Sequence, residues 1–178
     1  MDRRVVLTTL AAGSAALASN AHIAMAEEKS GGGAPGSRNL ITDVPGITVG
    51  LAEDAKVRTG VTVIVPDVRA TCSVDVRGGA PGTRETDVLD SRNLVHSCDA
   101  VVLSGGSVYG LAAGDGVAAW LGAHDRGYAS APMPGVPKAP IVPTAILFDL
   151  ANRGDKNWGM NPPYRDLGIQ AIGVASQD

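Results

Sequence analysis

Apolar and polar positions divide this chain into an uncharged opening run, a series of short β-branched segments and two stretches of small residues at helical spacing. Ile47-Thr48-Val49, placed after a Val44-Pro45-Gly46 turn, predicts a short strand. Gly60 to Val65 is β-branched and stops at Pro66-Asp67, which predicts a second strand and a turn. Ala70 to Val76 alternates and predicts a third, the three forming a meander. Arg77 to Thr86 has no apolar period and reads as a loop, as does the Pro-rich stretch Tyr128 to Pro140. Asp99 to Ser104 has the composition of a buried strand, and Gly105-Gly106 then breaks it. Ile141 to Leu150 is apolar and strand-like, with Pro143 at an edge, a bulge or the strand start.

The clearest helical pattern runs from Ser107 to His124. Ser107 is placed to cap it, and Val108, Leu111, Ala112, Ala118, Ala119 and Leu121 recur near helical spacing. Asp166 to Ser176 predicts a second helix of small residues. Strands come first and strand–helix alternation follows, so the expected fold class is α+β with layered packing.

Composition narrows what such a fold can do. The 178 residues carry a formal charge of −3, which is no electrostatic footprint for nucleic acid. Aromatic residues make up only 3%, while there are 23 Gly and 11 Pro, so the core must be built from Ala, Val, Leu and Ile at close backbone approach. Two cysteines, Cys72 and Cys98, exclude a disulfide-rich scaffold and a four-cysteine zinc site and leave room for one bridge.

The opening run has the three parts of a secretory signal peptide. Arg3-Arg4 supply the positive region, Val5 to Ala18 the uncharged stretch, and Ala24-Met25-Ala26 a small-x-small cleavage site. Arg3-Arg4 followed by Val5-Val6-Leu7 also resembles a twin-arginine signal. The expected division is residues 1–26 as signal, 27–38 as a flexible leader and 39–178 as folded domain. The implied location is periplasmic or secreted, with no membrane association after signal removal. In an exported chain a thiol pair is more readily a disulfide.

Candidate chemistry concentrates at Leu103 to Gly110. A strand running through Gly105-Gly106 into a helix leaves backbone N–H groups at Gly105, Gly106 and Ser107 to face an anion or oxyanion, with the Tyr109 hydroxyl within reach of the same space. A plain tight turn with a packed tyrosine fits the spacing as well. Gly114-Asp115-Gly116-Val117-Ala118-Ala119 matches a dinucleotide pattern but lies inside the helix, so it reads as small residues at a close packing contact. The nucleophile elbow G-x-S-x-G fails at Tyr109, which weakens Ser107 as a triad serine, and nothing local ties His96 or His124 to it. The loop Arg77 to Glu85, with Arg84 and Glu85, has groups to bind a carboxylate or an amine; a solvated loop with local ion pairs reads equally well. Cys72, His96, Cys98 and Asp99 have no recognised metal-ligand spacing.

Several stretches taken in order resemble one family. They are Val44 to Gly50, Thr59 to Ile64, Val74 to Thr86 (VDVRGGAPGTRET), Leu103 to Gly110 with the helix through Leu121, and Pro140 to Leu150 (PIVPTAILFDL). The family is the DmpA-type L-aminopeptidase/D-esterase, which includes β-peptidyl aminopeptidases and the nylon-oligomer hydrolase. The similarity runs from about Asn39 to the last residue. It implies an αββα sandwich, a precursor that cuts itself, and a Ser or Thr nucleophile freed at the new N-terminus of a β chain. It implies peptides, amides or esters as substrates, homo-oligomers, and no cofactor or metal. Tyr109 matches the family tyrosine that lines the site near the oxyanion.

The family's self-cleavage site falls beyond Asp178, and Gly82-Thr83 and Gly106-Ser107 are poor substitutes for it. The expectation is therefore a partial sandwich, the N-terminal part of an α chain whose partner is the missing C-terminal portion. The alternative is a catalytically inactive periplasmic peptide- or amino-acid-binding module on the same fold.

Overall fold

The computed structural model describes residues 34–95, 97–129 and 134–177. The expected signal and most of the leader lie outside the described residues, as does His96. The compact unit described below begins at Pro35.

Strand β1 (Ile47–Asp54) and strand β2 (Thr59–Pro66) form an antiparallel hairpin, in register from Ile47 with Pro66 to Asp54 with Thr59. Asp54 sets the turn, because its carboxylate accepts the N–H groups of Lys56 and Val57, each at 2.9 Å. Along β2, Val61, Val63 and Val65 are buried while Thr62 and Ile64 are half-buried, the period of a strand with two unlike faces.

Strand β3 (Ala70–Thr71) leaves this sheet. It pairs instead with β5 (Ser97–Cys98) in a separate two-stranded ladder, so the expected meander does not form. Arg69 explains the departure. Its guanidinium lies 3.3 Å from the buried Asp99 carboxylate, donates to the Ser97 carbonyl at 2.9 Å and sits over the Tyr128 ring. The chain after Pro66 is thereby drawn toward the segment that carries Ser97 and Asp99.

Strand β6 (Val101–Ser104) pairs antiparallel with β2, and β7 (Thr144–Ile146) lies parallel to β6. The two-residue β4 (Thr83–Arg84) closes the order β1-β2-β6-β7-β4. The loop expected over Arg77 to Thr86 therefore contains an edge strand. The strand expected over Ile141 to Leu150 shrinks to three residues, with Pro143 just before its start, where no donor is needed.

A 3-10 turn, Ser107–Leu111, leads into α1 (Ala112–Ala123), and α2 (Tyr164–Gly173) follows β7. Both helices cover one face of the sheet. Val61, Val63 and Val102 meet Ala113, Val117, Leu121, Leu167 and Ile172 in a single core. After α2, Ser176 pairs with Val49, so the last described turn returns to the first strand. The architecture is α+β, as expected.

The opposite face is different. Among the described residues no helix packs on the cross-strand row Leu51, Thr62, Leu103, Ala145 and Thr83, and Leu51 and Leu103 are 67% and 47% exposed. Among the described residues no helix is long and apolar enough to cross a membrane.

The helices approach closely because their contact positions are small. A Cβ on Gly116 would collide with the Arg165 carbonyl of α2, and one on Gly168 with the Ala113 carbonyl of α1. Gly114 meets Thr144 of the sheet in the same way. The glycine pattern inside α1 is thus a packing contact. Replacing Gly116 by Ala should lower stability by about 1–2 kcal/mol in urea unfolding. Overpacking of about 1–3 kcal/mol outweighs a helix-propensity gain of up to about 1 kcal/mol, and a stabilised variant would contradict this packing account.

Candidate functional site

Strands β6 and β7 run parallel and end at the same edge of the sheet, where open α/β sheets place ligands. Beyond that edge the chain is threaded by backbone bonds. Leu147 donates to the Ser104 carbonyl, Ser107 to the Leu147 carbonyl and Gly105 to the Gly60 carbonyl, each at 3.0 Å. One side chain joins these segments. The Asp149 carboxylate accepts the Gly106 N–H on one oxygen and the Thr59 hydroxyl on the other, both at 2.7 Å.

This arrangement requires its two glycines. Gly106 has φ +86°, in the left-handed region, and the Tyr164 ring occupies the place a Cβ would take. At Gly105 the same place is filled by the Asp149 carboxylate and the Thr59 hydroxyl. Ser107 also has positive φ, +52°, and is the first residue of the 3-10 turn, whose cap position is Gly106, contrary to the expected cap.

The open N–H groups expected at this turn are not open. Those of Gly105, Gly106 and Ser107 are donated to Gly60, Asp149 and Leu147. A backbone anion cradle at these three residues is corrected by the Asp149 carboxylate, which supplies the negative charge from within the fold.

Tyr109 presents a polar group here. It is 46% exposed, and its ring stands edge-on to Trp158 with centroids 5.6 Å apart. Trp158 in turn meets the buried Tyr164 edge-on at 5.9 Å, so three aromatic rings brace one another. Leu103, Val108, Leu147 and Phe148 surround the turn as exposed apolar side chains. Burial, opposed by the nearby Thr59 hydroxyl and reinforced by the charges of Asp149 and Asp54, pushes the Tyr164 phenol above its ordinary value.

Other predicted site residues lie elsewhere. Arg84 pairs in register with Thr144, and its guanidinium meets Asp115 of α1. The Glu85 carboxylate accepts the Val142 N–H at 2.8 Å. Neither side chain is brought to Tyr109. His124 stacks on Trp120 at 3.7 Å, with Nδ1 2.8 Å from the Trp120 carbonyl. Sequence reasoning missed Asp149 and Thr59. The available signal was a lone carboxylate inside the apolar run Ile146-Leu147-Phe148-Asp149-Leu150, which a fold must satisfy internally.

Comparison with known proteins places this geometry in a context. The model of the family described as Peptidase family S58 matches residues 39–174. An uncharacterized aminopeptidase of Mycobacterium bovis is 49% identical over 148 residues, covering 79% of this chain and 41% of that protein. An uncharacterized aminopeptidase of Mycobacterium leprae is 50% identical over 151 residues, covering 79% of this chain and 40% of that protein. A 6-aminohexanoate-oligomer endohydrolase of Kocuria is 35% identical over 140 residues, covering 79% of this chain and 35% of that protein. The chain thus spans about two fifths of the length of these aminopeptidases.

Two measurements check the turn. Asp149→Ala should cost about 2–3 kcal/mol of unfolding free energy, because it strands the Gly106 N–H and the Thr59 hydroxyl; a cost under about 0.5 kcal/mol would contradict the shared-carboxylate account. The second concerns pH. A phenol whose folded value is raised above the unfolded 10.0 contributes stability below about pH 10 and loses it as pH rises toward the folded value. In thermal melts from about pH 8 to about pH 11 the wild type should therefore lose stability more steeply with rising pH than Tyr164→Phe; equal slopes would contradict the raised phenol.

Proposed function

The chain belongs to peptidase family S58, and on that premise we propose that it is the N-terminal part of an exported, self-processing aminopeptidase or amidohydrolase. In this reading the enzyme removes N-terminal residues from peptides, amides or esters by acyl transfer. The nucleophile is a Ser or Thr hydroxyl at the N-terminus of a β chain that this sequence does not include, with its own α-amine as base. Tyr109 donates its hydroxyl to the carbonyl oxygen as negative charge develops there. Gly105, Gly106 and Ser107 form the wall beneath the substrate and hold Tyr109 at the sheet edge.

The observation that carries this reading is the braced turn. A half-exposed phenol follows the carboxyl end of β6, with Trp158 edge-on beside its ring and the preceding Gly106 bound by Asp149. Shape supports the incomplete-enzyme part. A sheet with helices on one face and Leu51 and Leu103 exposed on the other has room for a second sheet, which would complete an αββα sandwich. The relatives have more than half of their length beyond the matched part. The periplasm and a homo-oligomeric assembly of the complete protein complete the proposal.

The test compares the purified 178-residue chain with a version extended by the remainder of its reading frame. On an alanyl p-nitroanilide the short chain should release no nitroaniline and the extended chain should release it. Tyr109→Phe in the extended chain should lower kcat on the order of 10²–10³-fold with a smaller change in KM. Nitroaniline release by the short chain alone would contradict the absent nucleophile. Saturable peptide binding by a short chain with no catalytic extension would favour an inactive binding module.

A further inference from the structure

Away from the turn, the two cysteines form a cluster of their own. Cys98 lies in β5 and is 2% exposed, whereas Cys72 follows β3 and is half-buried; both carry free thiols. Ala70 pairs with Cys98 and Thr71 with Ser97. Cys72 directly follows β3, two residues beyond the partner of Cys98. The two side chains pack with Leu89 and Ile141 in a small apolar cluster separate from the main core. Burial, and then the adjoining Cys72 thiol, push the Cys98 thiol up to about 12.

We propose that Cys72 and Cys98 form a dithiol site that reacts with a disulfide oxidant and closes a covalent bridge between β3 and β5. The order of events follows from exposure. Cys72, the more accessible sulfur, attacks one sulfur of an external disulfide as its thiolate, and the first external thiol leaves. Cys98 then loses its proton and attacks the Cys72 sulfur of the mixed disulfide, and the second external thiol leaves. Two protein thiols and one external disulfide become one protein disulfide and two external thiols, so hydrogens and electrons balance.

Closure would fasten a definite piece of the molecule. The ring from Cys72 to Cys98 contains the glycine loop, edge strand β4 with its Arg84–Asp115 pair, and the Glu85 contact to Val142. Cys72, Leu89, Val101 and Leu103 also line an apolar cavity of about 170 Å³ against the helix-free sheet face. A bridge at Cys72 therefore pins this loop where it crosses that face. The inference is independent of the nucleophile and of Tyr109, because both thiols are in the chain itself.

The experiment uses the folded 178-residue chain and oxidised glutathione. Intact mass should fall by two hydrogens, and a peptide map should recover Cys72 linked to Cys98. Cys98→Ser should instead accumulate one glutathione adduct on Cys72, while Cys72→Ser should react far more slowly. Tryptic cleavage at Arg77 should slow in the oxidised protein, and its Tm should rise by several degrees relative to the dithiol form. A glutathione adduct that persists on the wild type would overturn the proposal. So would two thiols that remain separately alkylatable after oxidation, or faster modification of Cys98 than of Cys72.

Discussion

The Asp149 carboxylate is the interaction on which the arrangement around the parallel strands depends. Its two oxygens accept from Gly106 and from Thr59, and so connect the end of β6, the start of β2 and the segment after β7. An ionised carboxylate set among apolar residues is costly unless such donors meet it. Here the Gly106 N–H and the Thr59 hydroxyl meet both oxygens. The same contacts spend the N–H groups that a helix start would otherwise offer to a ligand. The polar group left after β6 is the half-exposed Tyr109 phenol, edge-on to Trp158.

Small residues do the remaining work of assembly. With one Phe and two Trp in the sequence, the chain has few large side chains to fill a core. It compensates by bringing backbones together. Gly50 lies against the Ala171 carbonyl, and Gly116 and Gly168 admit the two helices to each other. Backbone-to-backbone contact tolerates little adjustment, since interiors are packed as densely as organic crystals. Close packing at the helix side contrasts with the sheet's other face, where Leu51 and Leu103 remain exposed.

Much of this was legible in the sequence, for reasons particular to each element. The β-branched run Gly60 to Val65 announced β2, and the glycines within Gly114 to Ala119 announced a close contact rather than a nucleotide loop. The spacing of Tyr109 from Gly105-Gly106 made its place in the turn after β6 understandable. What misled was long-range chemistry. Ala70 to Val76 alternates like a strand of the main sheet, but the Arg69 to Asp99 pair draws it to β5 instead. Ser107 looks like a helix cap, yet a positive φ and a 3-10 turn decide its role. Asp149 was invisible as an anchor because its partners, Thr59 and Gly106, are distant in sequence and close only after folding.

The pairing of Val49 with Ser176 has a kinetic meaning. It joins the first long strand to the turn after the last helix, so the backbone bonds that seal the sheet's edge come from opposite ends of the described chain. Loop closure on this scale is entropically unfavourable and is repaid only when α2 docks on β1 and β2. A chain emerging from the ribosome can form the β1–β2 hairpin early, but it cannot complete the burial of that hairpin's inner face until Leu167 and Ile172 have joined Val117 and Leu121 in the core. The valines of β2 therefore stay partly uncovered until α2 has been made, a period in which a holdase chaperone would find its natural client.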